Sequence, residues 1–290
     1  MIETELNGQF PPDFVARERV NLSQLWQGKS GRSLPPKPKA RIADARPLQA
    51  EAVSEHDFLE AHGFVLLDAP TRMSDWDDEG QIVQLYLPEV EALIRERLYP
   101  GRKLIVMQAP RIVRRGAGTA NPHYGKGVHQ DHGTSAEEYQ HNLQAFASPE
   151  IAAQWRARFE QDDVQGFMVL DFWRTTGMAG PLKHMPLALC DPASVDIADI
   201  VPTALDGIAP GGATTHHIGL RHNPRQRWFY YPEMTADEVL VFKLFQLMRS
   251  EDPQPYRGCF HSAVEDPATP RDAQPRQSCE HRVSVMLLKD

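Results

Sequence analysis

The chain is poor in the features that mark several large functional classes. Its 290 residues include only three cysteines, Cys190, Cys259 and Cys279. They are scattered and odd in number, with no Cys-x-x-Cys pair, so neither a disulfide framework nor a zinc ribbon is expected and a reducing cytoplasm is the expected setting. Basic charge is not in excess: 31 Lys and Arg stand against 39 Asp and Glu, a net charge of −8. That balance argues against a nucleic-acid footprint or an anionic membrane surface as partner. No apolar run approaches the roughly 18 residues of a membrane span. Met1-Ile2-Glu3-Thr4-Glu5 lacks the basic start and apolar core of a signal peptide. There is no Gly-x-Ser-x-Gly elbow, no glycine-rich phosphate loop, no His-Glu-x-x-His and no internal repeat. A globular protein acting on a small molecule is what these absences leave.

An apolar fraction of 41% is enough for a substantial core. Residues 1–50 read as an extended arm over the domain. Pro11-Pro12 and Leu34-Pro35-Pro36-Lys37-Pro38-Lys39 interrupt regular structure, while Phe10, Phe14, Leu22, Leu25 and Trp26 supply apolar anchors. Residues 51–290 read as one domain. Ser54 and Gly63 bracket a short capped helix. Residues 75–98 carry apolar positions at helical spacing, with Pro88 expected to kink or split them. Ser135 and Ser148 are expected to cap two further helices. From there the chain turns to short strands punctuated by Pro, Gly and Asp, which implies a sandwich or barrel with helices outside.

Twelve histidines are generous for this length, and one stretch gives them a chemical use. In Gly127-Val128-His129-Gln130-Asp131-His132 the triplet His-x-Asp places His129 and Asp131 on one face if the segment is extended. A third ligand is then expected from a distant strand, and His261 in Gly258-Cys259-Phe260-His261-Ser262 fits by position. Two imidazoles and one carboxylate on one face of an octahedral ion leave the other face open, the arrangement of non-haem Fe(II) oxygenases. Alone, His-x-Asp is a weak signal, and its bland alternative is a surface histidine beside a turn aspartate.

The chain's ending strengthens it. An oxygenase that uses 2-oxoglutarate needs a planar cation and a hydroxyl for the distal carboxylate of the keto acid. Arg282-Val283-Ser284 offers both on one face of the final strand. Arg276-Gln277-Ser278 offers the same spacing six residues earlier, after Pro275. Strand geometry ranks Arg282 with Ser284 ahead of Arg276. Tyr124, Lys126, Trp173 and Arg174 are expected to line a substrate mouth. His216 and His217, adjacent on a strand, point to opposite faces and cannot share a metal.

The segment Phe172-Trp173-Arg174, then Pro186-Leu187-Ala188-Leu189-Cys190-Asp191, then Gln226 through Lys243, resembles the CmcJ/AsaB-type hydroxylase/desaturase family. That group includes proteins related to gibberellin desaturases and to the accessory protein of cephalosporin 7α-methoxylation. Phe260-His261-Ser262-Ala263 and Pro275-Arg276-Gln277-Ser278-Cys279-Glu280-His281-Arg282 are similar to its ending. The resemblance runs from about residue 50 to the end. It implies a mainly β, double-stranded β-helix fold (jelly roll, cupin-like) with flanking helices. It also implies Fe(II), 2-oxoglutarate and O2 as cofactor and cosubstrates, with His129, Asp131 and His261 as ligands. Arginines occur at both positions of the ending, so Arg276 and Arg282 stay open. His132 stands where the family commonly has an aromatic residue.

The expected activity is hydroxylation, desaturation or cyclisation of a small molecule, in secondary metabolism, by hydrogen abstraction from a C–H bond. Two other readings compete. One is a metal-dependent hydrolase or isomerase on the same barrel, and the other a non-enzymatic accessory subunit of a biosynthetic partner.

Overall fold

The computed structural model describes residues 1–27 and 37–289. The side chain of Trp26 and the Pro35-Pro36 pair, both part of the expected arm, lie outside the described residues.

Long apolar runs make the central sheet. Val164–Thr175 is buried along nearly its whole length, as is Glu238–Met248, so these strands are covered on both faces. They pair antiparallel with each other, and Ser278–Leu288 pairs with the other edge of Val164–Thr175. Phe64–Asp68 and Leu104–Gln108 extend the sheet at its two ends, and Val113–Arg115 adds to the upper part of Ser278–Leu288. The aromatic and aliphatic side chains of these strands gather with Tyr86, Val90, Ile94 and Leu98 from the preceding helical segment into one large buried cluster.

The opposing wall is assembled from shorter pieces. One sheet runs in the order Ile2–Glu5, Lys39–Asp44, Trp228–Tyr230, Leu187–Cys190, His261–Ala263; another joins Thr215–Leu220, Ile200–Leu205 and Val20–Asn21. The His-x-Asp segment lies between them. His129 bridges His261 and Gln130 bridges Ile218, both antiparallel. One extended segment therefore stitches the two small sheets into a single wall facing the central sheet, giving the two walls of a double-stranded β-helix.

The helix caps follow the sequence. Ser54, Ser135 and Ser148 each accept a hydrogen bond from the backbone three residues on, and Gly63 closes the first helix with φ 73°. Pro88 does not split its helix. The turn before it widens over Ile82–Tyr86, where the Leu87 amide reaches back to the Ile82 carbonyl, and the helical path continues to Leu98. A widened turn accommodates the ring and the missing donor of proline.

The first 50 residues differ from an extended arm. Ile2–Glu5 pairs with Lys39–Asp44, and the latter runs parallel to Trp228–Tyr230. Ile2, Leu6 and Ile42 are core residues, each at most 3% exposed. Pro11, Pro12 and Pro38 lie outside these strands, so none of them removes a ladder donor.

Candidate metal centre and its cavity

The backbone register puts the three candidate ligands together. His129 and His261 exchange amide hydrogen bonds of 3.2 and 3.0 Å, so they form a directly opposed pair whose side chains leave the same face. Asp131, two residues on, returns to that face; its carboxylate lies 3.6 Å from His129 Nε2. Among the described residues these three are the one cluster that could hold a metal, with ligand atoms all within 4.8 Å of one another.

Both imidazoles are oriented by backbone. His129 Nδ1 lies 2.6 Å from the Gly127 carbonyl oxygen and His261 Nδ1 lies 3.1 Å from that of Cys259. A carbonyl accepts only, so each Nδ1 carries the proton and each Nε2 presents a lone pair, the tautomer a metal needs. Burial, with His129 close by, pushes His261 down to about 3, which keeps it neutral. Burial alone would push the Asp131 carboxyl up, but the Arg282 guanidinium and the neighbouring imidazoles hold it well below the usual carboxylate range. Two imidazoles and one carboxylate thus converge as a donor set, which fits Fe(II).

Gln130, absent from the sequence reading, locks the pair of segments. It points away from the ligands and is fully buried. Its Nε2 donates to the Cys259 carbonyl at 3.0 Å, and its Oε1 accepts from the Asp131 amide at 2.7 Å. The signal was present: a polar residue between two ligands on a strand must face the other side. Gln130→Leu leaves the Asp131 amide without a partner, while the Cys259 carbonyl keeps His261 Nδ1. A buried orphan costs about 1–3 kcal/mol, so a loss of that size is expected in urea unfolding, together with weaker Co(II) binding. Unchanged stability would show that water replaces the amide.

The closing strand turns alternate residues toward one face. Ser278, Glu280, Arg282 and Ser284 stand opposite Thr175, Trp173, Asp171 and Val169. Arg282 lies deep among protein atoms, yet 37% of its side chain remains accessible, so that part faces the interior space. One of its Nη atoms is 2.8 Å from Asp131 and 3.5 Å from Glu280, and its Nε is 4.0 Å from Asp171. Asp171 is fully buried, and burial with Glu280 nearby pushes its carboxyl well above the usual range. An isolated acid in the apolar run of residues 166–173 was the sequence signal for it.

Arg276 has different surroundings. It is 2% exposed, its guanidinium lies 4.3 Å from the Tyr124 ring centroid and 5.3 Å from that of Trp173, and its Nη1 donates to the Met185 carbonyl at 2.5 Å. Among the described residues no carboxylate reaches ion-pair distance of it, and burial pushes it down to about 10. Its Nε and the hydroxyl of Ser278 are buried without a partner. Ser284, the expected hydroxyl beside Arg282, lies 3.1 Å from the Tyr139 hydroxyl, in the middle of the strand.

Tyr124, Lys126, His184 and Met185 line a cavity of about 650 Å³ beside Arg276. Lys126 is held by Glu265 at 2.9 Å. Trp173 faces inward, but Arg174 does not reach the mouth. Alternation turns it to the outer face, where it donates to the Ala69 and Ala236 carbonyls and lies over Trp76. His217 is buried near the ligands while His216 stacks on His141 outside, as alternation requires. His132 packs between Tyr139 and Phe245, and burial pushes it down to about 3.

A family described as "Oxidoreductase/YMDC permease-like domain" matches residues 21–286. The chain belongs to this YDMC family. Among the described residues no helix is long and apolar enough to cross a membrane. Aspirochlorine biosynthesis protein N of Aspergillus oryzae is 31% identical over 119 residues, 40% of this chain and 47% of that protein. This chain therefore matches about half the length of that relative. Oxidoreductase clz16 of Cochliobolus lunatus is 24% identical over 267 residues, 85% of this chain and 84% of its own. Hydroxylase/desaturase asaB of Aspergillus flavus is 28% identical over 131 residues, 41% of this chain and 55% of its own, in line with the resemblance read from the sequence. In structure, the iron and alpha-ketoglutarate-dependent endoperoxidase NvfI superposes over 99% of this chain and 98% of its own, with a TM-score of 0.66 at 19% identity. The YDMC chain thus has the fold of an iron- and 2-oxoglutarate-dependent oxygenase.

Proposed function

We propose that the protein is an Fe(II)- and 2-oxoglutarate-dependent oxygenase that hydroxylates, desaturates or cyclises a small organic molecule. The observation that carries this reading is the pairing of a ready His-Asp-His donor set with a buried, carboxylate-free guanidinium, Arg276, in the same barrel. His129, Asp131 and His261 would hold the iron. Arg276 and Ser278 would hold the distal carboxylate of the keto acid, because both present buried polar atoms without partners.

Arg282, ranked first from the sequence, already touches a metal-ligand carboxylate. That contact suits Arg282 to orienting Asp131, and Arg276 would be the residue left to hold the keto acid. Ser278 replaces Ser284 as the hydroxyl partner for the same reason.

When bound, iron and 2-oxoglutarate supply the oxidation of a substrate C–H bond by O2, coupled to release of succinate and CO2. The chain's own residues do the rest. Gly127 and Cys259 carbonyls fix the imidazoles, Gln130 fixes the strand pair, and Tyr124 and Trp173 sandwich the Arg276 guanidinium. The cavity beside Tyr124 has the size of a small-molecule site and is the proposed substrate mouth. Three free, buried cysteines support a reducing, cytoplasmic setting.

An anaerobic titration of the apoprotein with Fe(II) and 2-oxoglutarate tests the reading. A visible charge-transfer band is expected only when both are present, and is expected to vanish in His129→Ala. Iron bound without a band would return the metal-dependent hydrolase or isomerase reading. No iron binding would favour an accessory subunit.

A further inference from the structure

A line of alternating charge runs from the rim of the barrel to the metal ligands. Arg115 Nη2 is 3.3 Å from Glu280 Oε1; Glu280 Oε1 is 3.5 Å from Arg282 Nη2; Arg282 Nη2 is 2.8 Å from Asp131 Oδ2. The members differ in access. Arg115 keeps 31% of its side chain exposed, Glu280 keeps 12% and Asp131 10%.

Local structure explains why the line is continuous. Arg115 stands opposite Ser278 and Glu280 opposite Val113 where the short rim strand joins the closing strand. Glu280 and Arg282 then share one face because they are two apart. Gly116 follows Arg115 with φ 133°, and a side chain there would run into the Arg276 carbonyl and Gln277. The rim strand is therefore seated directly on the segment that carries Arg276.

Arg282 faces the carboxylates of Asp131 and Glu280 with one positive charge, and the Asp171 carboxyl lies 4.0 Å from its Nε. Its pull on Asp131 opposes a bound divalent cation, since both compete for the same carboxylate. Glu280 draws on the same Nη2, and so weakens that competition. Arg115 draws on Glu280, and so restores it. Neither residue is in the set of possible metal ligands.

We propose that Glu280 and Arg115 are positioning residues that set the affinity of the metal centre through Arg282, with opposite signs. This rests on the metal reading of His129, Asp131 and His261. Because Arg115 is accessible at the rim, the same line carries the charge state of the rim to the metal ligands. A substrate acceptor group that engages Arg115 would leave Glu280 to Arg282 and tighten the metal site as the substrate enters.

The test is anaerobic titration of the full-length apoprotein with Co(II), read by its visible spectrum and needing no turnover. Wild type is measured first; absence of Co(II) binding by wild type would overturn the metal reading itself. Given binding, Glu280→Gln is expected to weaken it about five- to tenfold and Arg115→Gln to tighten it about two- to threefold, as screened Coulomb interactions over these distances allow. The double variant Arg115→Gln/Glu280→Gln is expected to match Glu280→Gln, because Arg115 acts only through Glu280. A purely structural role would weaken binding in both single variants and lower their melting temperatures. Shifts of the same sign, or no shift in either variant with wild type binding normally, would overturn the proposal.

Discussion

Asp131→Ala is expected to abolish useful Fe(II) binding while the protein stays folded. Removing a partner that only orients a ligand typically costs about 10–100-fold in affinity, and loss of the carboxylate ligand itself should exceed about 100-fold. The fold survives because Arg282 is not left alone. It keeps Glu280 at 3.5 Å and Asp171 at 4.0 Å, so no cation becomes unpaired in the barrel. Breaking a buried pair is severe when it strands a charge, and here the remaining carboxylates prevent that. A stability change within about 1 kcal/mol, a shift of roughly 2–4 °C in a chain of this size, is expected in thermal melts. The paired measurement is an anaerobic Fe(II) titration with a melting curve of the same preparation. Unchanged iron affinity would remove Asp131 from the ligand set, whatever the melt shows.

The clustering of His129, Asp131 and His261 was legible in the sequence because it depends on two local rules. Alternation along a strand puts His129 and Asp131 on one face, and an opposed strand pair brings in His261 with no further freedom. The helix caps at Ser54, Ser135 and Ser148 were legible for the same reason: each is decided within four residues. The choice between Arg276 and Arg282 was not. Both flank or occupy the same strand, and both can face inward. What separates them is depth in the barrel relative to Asp131, and that follows from the pairing of Ser278–Leu288 with Val164–Thr175. Arg276 lies just before that strand, which starts at Ser278, so strand alternation cannot rank it against Arg282. Glu280 was hidden in the same way, since a charge inside a barrel looks from the sequence like a charge on a surface. The strands of the first 50 residues are not legible locally, because they are short and one of them pairs with residues nearly 190 positions away, as Ile42 does with Trp228.

Arg276→Lys is expected to raise the 2-oxoglutarate concentration needed for the charge-transfer band by about 100-fold at unchanged iron affinity. The planar fork matches a carboxylate with two parallel donors, which a lysine ammonium cannot reproduce. Charged hydrogen bonds in a dry site are worth about 1.5–3 kcal/mol each, and about 2.7 kcal/mol corresponds to 100-fold. Lysine keeps the positive charge and much of the stem between Tyr124 and Trp173, so packing is largely retained and a failure to fold does not confound the result. Ser278→Ala, removing one neutral donor, should cost about three- to tenfold in the same titration. Arg282→Lys should behave differently. Its contact is with Asp131, so iron binding should change first, and the 2-oxoglutarate requirement at saturating iron should move little. The two arginines are thereby separated by which titration responds. Should Arg282→Lys shift the 2-oxoglutarate curve as far as Arg276→Lys does, the anchor would belong deeper in the barrel, and the unpartnered atoms of Arg276 and Ser278 would serve the substrate instead.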